Sequence, residues 1–485
     1  MSDAAGRLVV EALRLDRWDA SEVSRRVDRA LELGVGGFIL FGGEAEAVAR
    51  LTARARRAAG RELWMGADLE RGAGQQFRGL TELPPPAALA AAPSPGDAAE
   101  RAGAVTGGEA RSVGVDWVLA PVADLDIEPR NPIVATRSFG SDPARVAELA
   151  GRWIAGCQST GALACAKHFP GHGRTTTDSH VELPRVETAV DDLERDLFPF
   201  AALAPRVATM MVAHVAYPAL GSARPATCAP EIVTGVLRER LDFRGPVATD
   251  AMIMAGIGED DASAAVEAVR AGCDLVLYPG DAAATIGALE RAADADPRFA
   301  DRLRDAVAMG APRRIRTGAA PADGEGAGTP GFDAVRFARA TIVDRSGNAL
   351  AAWRPGTPRA VLAVSDDPDV GPPGGRAGPL GAPLRDALRG AGWSVVAEDA
   401  ASAGQTVVVL AATPRGWKGH GGLSEGARDR VRAALAGSGR ALLVVLGHVR
   451  LLDELAVPGI AAWSTETVME RAAAAWIADR AGGPG

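Results

Sequence analysis

Ala164-Cys-Ala-Lys-His-Phe-Pro-Gly-His-Gly-Arg-Thr-Thr-Thr-Asp-Ser-His180 holds three of the chain's six histidines. The apolar run 161–166 that leads into it reads as a buried strand, and Lys167 and His168 stand where that strand ends. Pro170, Gly171 and Gly173 then break any regular structure. A strand that stops at charged residues and opens into a Gly/Pro loop is how a rigid scaffold presents catalytic side chains.

The same pattern extends in both directions. Short apolar runs at 37–41, 62–67, 117–122, 209–213, 246–249 and 273–277 alternate with helix-like segments. Asp19 or Ser21 caps a helix carrying Val23, Val27 and Leu31 that Gly34 ends. Residues 44–59 read as a second helix, and Pro230 opens another with Ile232, Val236 and Leu237 on one face. A β-α-β-α rhythm of nearly continuous apolar strands argues for a parallel sheet covered by helices. The seven legible strands suit an α/β fold of the TIM-type (β/α)8 barrel class better than an open, doubly wound sheet. The eighth strand, and with it closure, is inferred. Asp68, Asp124, Lys167, His168, His214 and Asp250 recur at strand C-terminal ends, the face on which barrel active sites lie.

The 485 residues leave room for more than a barrel. GAAPADGEGAGTPG at 318–331 is aperiodic and reads as an interdomain linker. Beyond it, apolar strands at 360–364, 393–397, 406–410 and 441–446, with a helical stretch at 423–435, predict a smaller α/β sandwich domain. The expected organisation is a catalytic barrel at 1–317, the linker at 318–331 and a C-terminal α/β domain at 332–485. The Pro/Gly-rich 366–381 is expected to be a mobile loop. The second domain is expected to be structural, with His420 and His448 as surface or core residues.

A net charge of −8 gives little support to a nucleic-acid partner. Cys157, Cys165, Cys228 and Cys273 form no CxxC pair and read as reduced core thiols. The N-terminal stretch lacks the basic region and apolar run of a signal peptide. No apolar stretch approaches the ~20 residues of a membrane span, so no membrane association is expected and the default location is the cytoplasm. The sequence assigns no oligomeric state.

The run 167–173, followed by Asp178-Ser179-His180, resembles the signature of family 3 glycoside hydrolases, and more narrowly their β-N-acetylglucosaminidase subgroup. The resemblance covers roughly residues 5–315. It implies that Asp250, in Val-Ala-Thr-Asp-Ala-Met, is a nucleophile that forms a covalent glycosyl intermediate. A helix N-cap is the plain alternative. It also implies that His180 is the acid/base group, supported by Asp178. The residues themselves point the same way. Side chains at i and i+2 of an extended loop share a side, and a carboxylate bonded to an imidazole fixes its tautomer and raises its basicity. A surface turn with an Asx hydrogen bond is the plain alternative.

By the same resemblance Lys167 and His168 donate to sugar hydroxyls, where a solvated strand end is the alternative. Asp68 holds a hydroxyl of the non-reducing sugar. Its context departs from the family's Asp-Gln-Glu-Gly-Gly-Arg-Val, because in Asp-Leu-Glu-Arg-Gly-Ala-Gly-Gln-Gln-Phe-Arg the segment before Arg78 is longer. Arg137, in Thr-Arg-Ser-Phe-Gly-Ser-Asp, matches the family, with an ion pair to Asp142 as the alternative. His172 is expected to brace the loop and His214 to line the pocket.

The implied activity is a retaining exo-β-N-acetylglucosaminidase. Its substrate is a small carbohydrate bearing terminal β-GlcNAc, derived from cell wall or chitin, and no metal or organic cofactor is needed. A phosphorylase is a variant, because a neutral imidazole repels incoming phosphate less than a carboxylate does. β-Glucosidases and β-xylosidases of the family lack the Asp-x-His loop and take their acid from elsewhere, often the second domain. A metal site built from His168, His172, Asp178 and His180 is disfavoured by the Pro and Gly that separate the first two. A non-catalytic sugar-binding role is disfavoured because every named group is present.

Overall fold

Alternate residues of eight short parallel strands point into one closed barrel. In chain order these are β1 (Val9–Arg14), β2 (Gly37–Phe41), β3 (Trp64–Ala67), β4 (Trp117–Val118), β5 (Leu163–Phe169) and β6 (Thr209–Val212). A small antiparallel pair, β7 (Ala216–Tyr217) and β8 (Ser222–Pro225), follows β6. The ring resumes with β9 (Val247–Thr249) and β10 (Val276–Leu277). β10 pairs with β1, and the bridge Ala248–Leu275 joins β9 to β10 and closes the circle. The computed structural model describes residues 2–311, 332–347, 349–350, 353, 359–366, 379–396, 405–412, 423–438 and 440–480. The expected linker at 318–331, most of the 366–381 loop and His420 lie outside these residues.

The strand absent from the sequence reading is β1. Val10 and Ala12 face the barrel interior, while Val9 and Leu13 face the helix layer. Glu11 interrupts the apolar run, so it does not stand out as a buried strand. Trp64 and Trp117 fill the barrel with ring centroids 4.8 Å apart. Their N–H groups reach the Gly310 carbonyl at 2.7 Å and Thr209 Oγ1 at 2.9 Å, so neither indole buries an unmet donor. Outward-facing Phe38, Leu40, Met65 and Val212 pack beneath the helices.

Local signals set the helix ends. Asp19 Oδ1 accepts the Ser21 and Glu22 N–H groups at 2.9 Å and starts the helix Ala20–Glu32. Gly34, at φ +76, turns the chain out of it toward β2. The four cysteines are buried and form no disulfide.

The second sheet has six strands: β11 (Val343–Arg345), β12 (Arg359–Ser365), β13 (Val395–Val396), β14 (Gln405–Ala412), β15 (Ala441–Gly447) and β16 (Gly459–Ala461). Their order is β11-β16-β15-β14-β12-β13, parallel except for β11. Successive residues of β14 face opposite cores: Val407 and Val409 on one side, Val408 and Leu410 on the other. Helices cover both faces, which is why these strands read as unbroken apolar runs. β11 and β16, three residues each, escaped the sequence reading.

Candidate active site

The polar groups at the strand ends converge on one face of the barrel as two hydrogen-bonded networks flanking Asp250. The first begins at Lys167, near the end of β5. Its ammonium lies 2.7 Å from Asp68 Oδ1 and 2.8 Å from Glu70 Oε1, both in the loop after β3. Glu70 in turn takes Arg137 in a bidentate pair at 2.8 and 2.7 Å. Lys167 and Glu70 side chains are each 2% exposed, whereas Asp68 is 32% exposed and open to a ligand. Burial alone would raise the Glu70 carboxyl, but Arg137 and Lys167 hold it well below the usual carboxylate range. Burial would lower the Lys167 ammonium, and Asp68 and Glu70 reverse that, so it stays charged.

Glu70→Gln is therefore expected to leave two buried cations short of their counter-charge. A loss of about 3–5 kcal/mol is expected in calorimetric unfolding. Arg137 pairs with Glu70, not with Asp142, which instead caps the helix Pro143–Ser159 through the Arg145 N–H at 2.8 Å. Arg78 stands apart from this network. Its half-exposed guanidinium bonds Glu44 Oε1 at 2.5 Å, and its N–H is held by the Gly43 carbonyl at 2.9 Å. The longer segment ahead of Arg78 lays it against the loop after β2, where its guanidinium forms an ion pair with Glu44.

The second network is built on Asp124. Its Oδ2 lies 2.7 Å from His168 Nδ1, and its Oδ1 accepts the His172 N–H at 2.7 Å and the His168 N–H at 3.2 Å. Burial would raise this carboxyl; the His168 ring and the His172 contacts lower it instead. His172 bridges Thr175 Oγ1 at 2.7 Å and Ser179 Oγ at 3.2 Å, the bracing role expected of it. Burial and the neighbouring His168 ring push its pKa down to about 4, so it is neutral at neutral pH.

Asp178 and His180 meet beyond Ser179. Asp178 Oδ1 lies 2.7 Å from His180 Nδ1 and also accepts the His180 N–H at 2.9 Å. The segment is a turn rather than an extended loop, with the Val181 N–H bonded to the Asp178 carbonyl at 2.9 Å. The Asx turn and the carboxylate–imidazole pair thus coexist on one oxygen. The Gly256 N–H ties the turn down at the Ser179 carbonyl at 2.9 Å, and Asn131 Nδ2 holds the start of the loop at the His172 carbonyl at 2.9 Å.

Asp250 directly follows β9, with Oδ1 accepting the Ala251 N–H at 2.8 Å. Burial would raise its carboxyl. The rings of His168 and His214, the Ala251 N–H and the His180 ring together hold it down to about 2. His214 is fully buried, and Nε2 donates to the Ala251 carbonyl at 3.2 Å while Nδ1 lies 2.8 Å from Thr227 Oγ1. It braces the Asp250 turn from behind rather than lining a pocket. Burial lowers its pKa against the opposing pull of Asp250. Among the described residues, no three His, Cys, Asp or Glu side chains converge as metal ligands.

The profile of the Glycosyl hydrolase family 3 N terminal domain matches residues 13–308. The chain belongs to glycoside hydrolase family 3. A β-hexosaminidase of Pseudomonas aeruginosa is 38% identical to this family 3 chain over 279 residues, covering 56% of it and 83% of the relative. A β-hexosaminidase of Methylococcus capsulatus is 38% identical over 236 residues, covering 47% and 70%. A family 3 β-N-acetylglucosaminidase structure from Paenibacillus aligns with TM-score 0.76 at 25% identity, over 99% of this chain and 97% of that one. A β-glucoside phosphorylase aligns with TM-score 0.82 at 21% identity, over 99% and 92%, which is a likeness of fold. Among the described residues no helix is long and apolar enough to cross a membrane.

Neither Glu70 as a hub nor the grip of Asp124 on two histidines is announced by the sequence. Glu70 lies within the atypical Asp68–Arg78 segment, two residues after Asp68, and that proximity was the available signal.

Proposed function

We propose that the chain is a retaining, exo-acting β-N-acetylglucosaminidase that removes terminal β-linked GlcNAc from cell-wall or chitin-derived fragments. The reading is carried by the 2.7 Å Asp178–His180 pair lying on the face that holds an ionised Asp250. Asp68, Lys167, His168 and Arg137 bind the terminal sugar. The Asp250 carboxylate attacks the anomeric carbon as the bond to the leaving oxygen breaks, and the proton on His180 Nε2 passes to that oxygen. Asp178 holds Nδ1–H throughout and stabilises the imidazolium without taking its proton. Water then attacks the same carbon, giving its proton back to His180 and releasing Asp250, so the β configuration is retained. The β-hexosaminidase names of the relatives support the choice of sugar.

Initial rates on an aryl β-N-acetylglucosaminide and an aryl β-glucoside, each with and without phosphate, test the reading. Rapid release from the first, indifferent to phosphate, is expected. Acceleration by phosphate with sugar 1-phosphate as product would make the enzyme a phosphorylase. Preference for the glucoside would contradict the assignment of the sugar.

A further inference from the structure

The second sheet region grips the barrel at the loops that carry the site. After β3, Arg71 Nε lies 2.6 Å from Glu466 Oε1, and Glu82 Oε2 accepts the Val468 N–H at 3.0 Å. Ala87 and Ala88, which follow in the same connection, are buried in the core of the second region. After β4, two side chains take Asp126: His448 Nε2 at 3.0 Å and Arg450 Nη1 at 3.0 and 3.2 Å. His448 Nδ1 accepts the Arg450 N–H at 3.2 Å, so the proton of the neutral ring sits on Nε2 and donates to Asp126. That bond needs no positive charge on the imidazole.

Asp126 ends a run of three consecutive residues that all bear on the site. Asp124 holds His168 and His172. The Leu125 carbonyl packs so tightly against Gly173 that a Cβ there would stand 2.1 Å from its oxygen. His172 then reaches Ser179, between Asp178 and His180. The Asp126 side chain is only 8% exposed, so taking away its donors leaves an under-bonded carboxylate that drags its segment toward water.

We propose that His448 and Arg450 are positioning residues: by gripping Asp126 they hold Asp124, and through His172 the turn bearing Asp178 and His180, in place against Asp250. The inference rests on the function proposed above and gives the second region a part in catalysis that the expectation of a merely structural domain did not include.

The test uses the full chain with His448→Ala and Arg450→Met, and His448→Gln and Arg450→Lys as conservative partners. Two substrates separate acid catalysis from general damage. 2,4-Dinitrophenyl β-N-acetylglucosaminide leaves without a proton, whereas the alcohol released from N,N′-diacetylchitobiose needs one. With Asp124 and the turn displaced, kcat/KM on chitobiose is expected to fall by about tenfold to a hundredfold, and kcat/KM on the dinitrophenyl substrate by only about twofold to threefold, the part that passes through His168. The conservative variants should recover most of the loss. Equal losses on both substrates, or none, overturn the inference. Hydrogen exchange supplies a readout independent of activity: amides of 172–182 should exchange faster in Arg450→Met and His448→Ala, while those of β1 do not change. Unchanged protection at 172–182 also overturns the inference. Wild-type protein inactive on both substrates, by contrast, defeats the function reading and leaves the exchange result to decide the positioning.

Discussion

Asp250→Asn is expected to fold normally and to lose about 10⁴- to 10⁶-fold in kcat/KM on an aryl β-N-acetylglucosaminide. The amide has the shape of the carboxylate, and its oxygen can still accept the Ala251 N–H, which Asp250 Oδ1 now meets at 2.8 Å. The loss is therefore chemical: an amide does not displace a leaving group from an anomeric carbon. Burial works against the charge on Asp250, and nearby imidazoles and the Ala251 N–H overcome it, giving a pKa of about 2. The folded value lies below the ordinary 3.8, so this group's stability contribution is complete above that pH and is lost as pH falls through about 2. Glu70 and Asp124 are depressed as well and lose their contributions in the same direction. An acidic limb in kcat/KM centred above about pH 4 thus belongs to a group other than Asp250. Near wild-type turnover by Asp250→Asn would remove the nucleophile assignment.

The sequence makes strand ends legible because a buried run that halts at a charged residue is a local signal. Asp68, Lys167, His168 and Asp250 stand out in this way. Partners far apart in the chain leave no such mark. Nothing near Lys167 announces that Asp68, 99 residues earlier, supplies its counter-charge, and nothing near Asp126 points to Arg450, 324 residues later. β1 was hidden for a different reason. In a barrel strand only alternate residues need face the interior, so Val10 and Ala12 suffice while Glu11 and Arg14 blur the run. The Asp178–His180 contact is legible in the i, i+2 spacing, although that spacing suggests an extended loop. The chain forms a turn instead, because the short Asp178 side chain also accepts a backbone N–H. Arg78 follows an insertion relative to the family motif, and its guanidinium meets Glu44, 34 residues earlier, a partner that the motif does not announce.

His180→Gln should separate the two halves of the reaction. Glutamine neither donates a proton to a leaving alcohol nor accepts one from water. On chitobiose, where the first half needs the acid, kcat/KM is expected to fall by roughly 10³-fold. On the dinitrophenyl substrate the first half proceeds without help, so kcat/KM should hold while kcat drops, because the glycosyl-enzyme now waits for water without a base. Azide needs no base and should restore kcat on that substrate. It attacks an intermediate bonded to Asp250 on the α face and therefore gives the β-glycosyl azide. In Asp250→Gly the same anion enters from the face that the carboxylate has vacated and gives the α-azide. Opposite anomers from the two variants would place Asp250 and His180 on opposite sides of the sugar, as double displacement requires. The same anomer from both would mean that one of the two residues has been given the wrong side of the reaction.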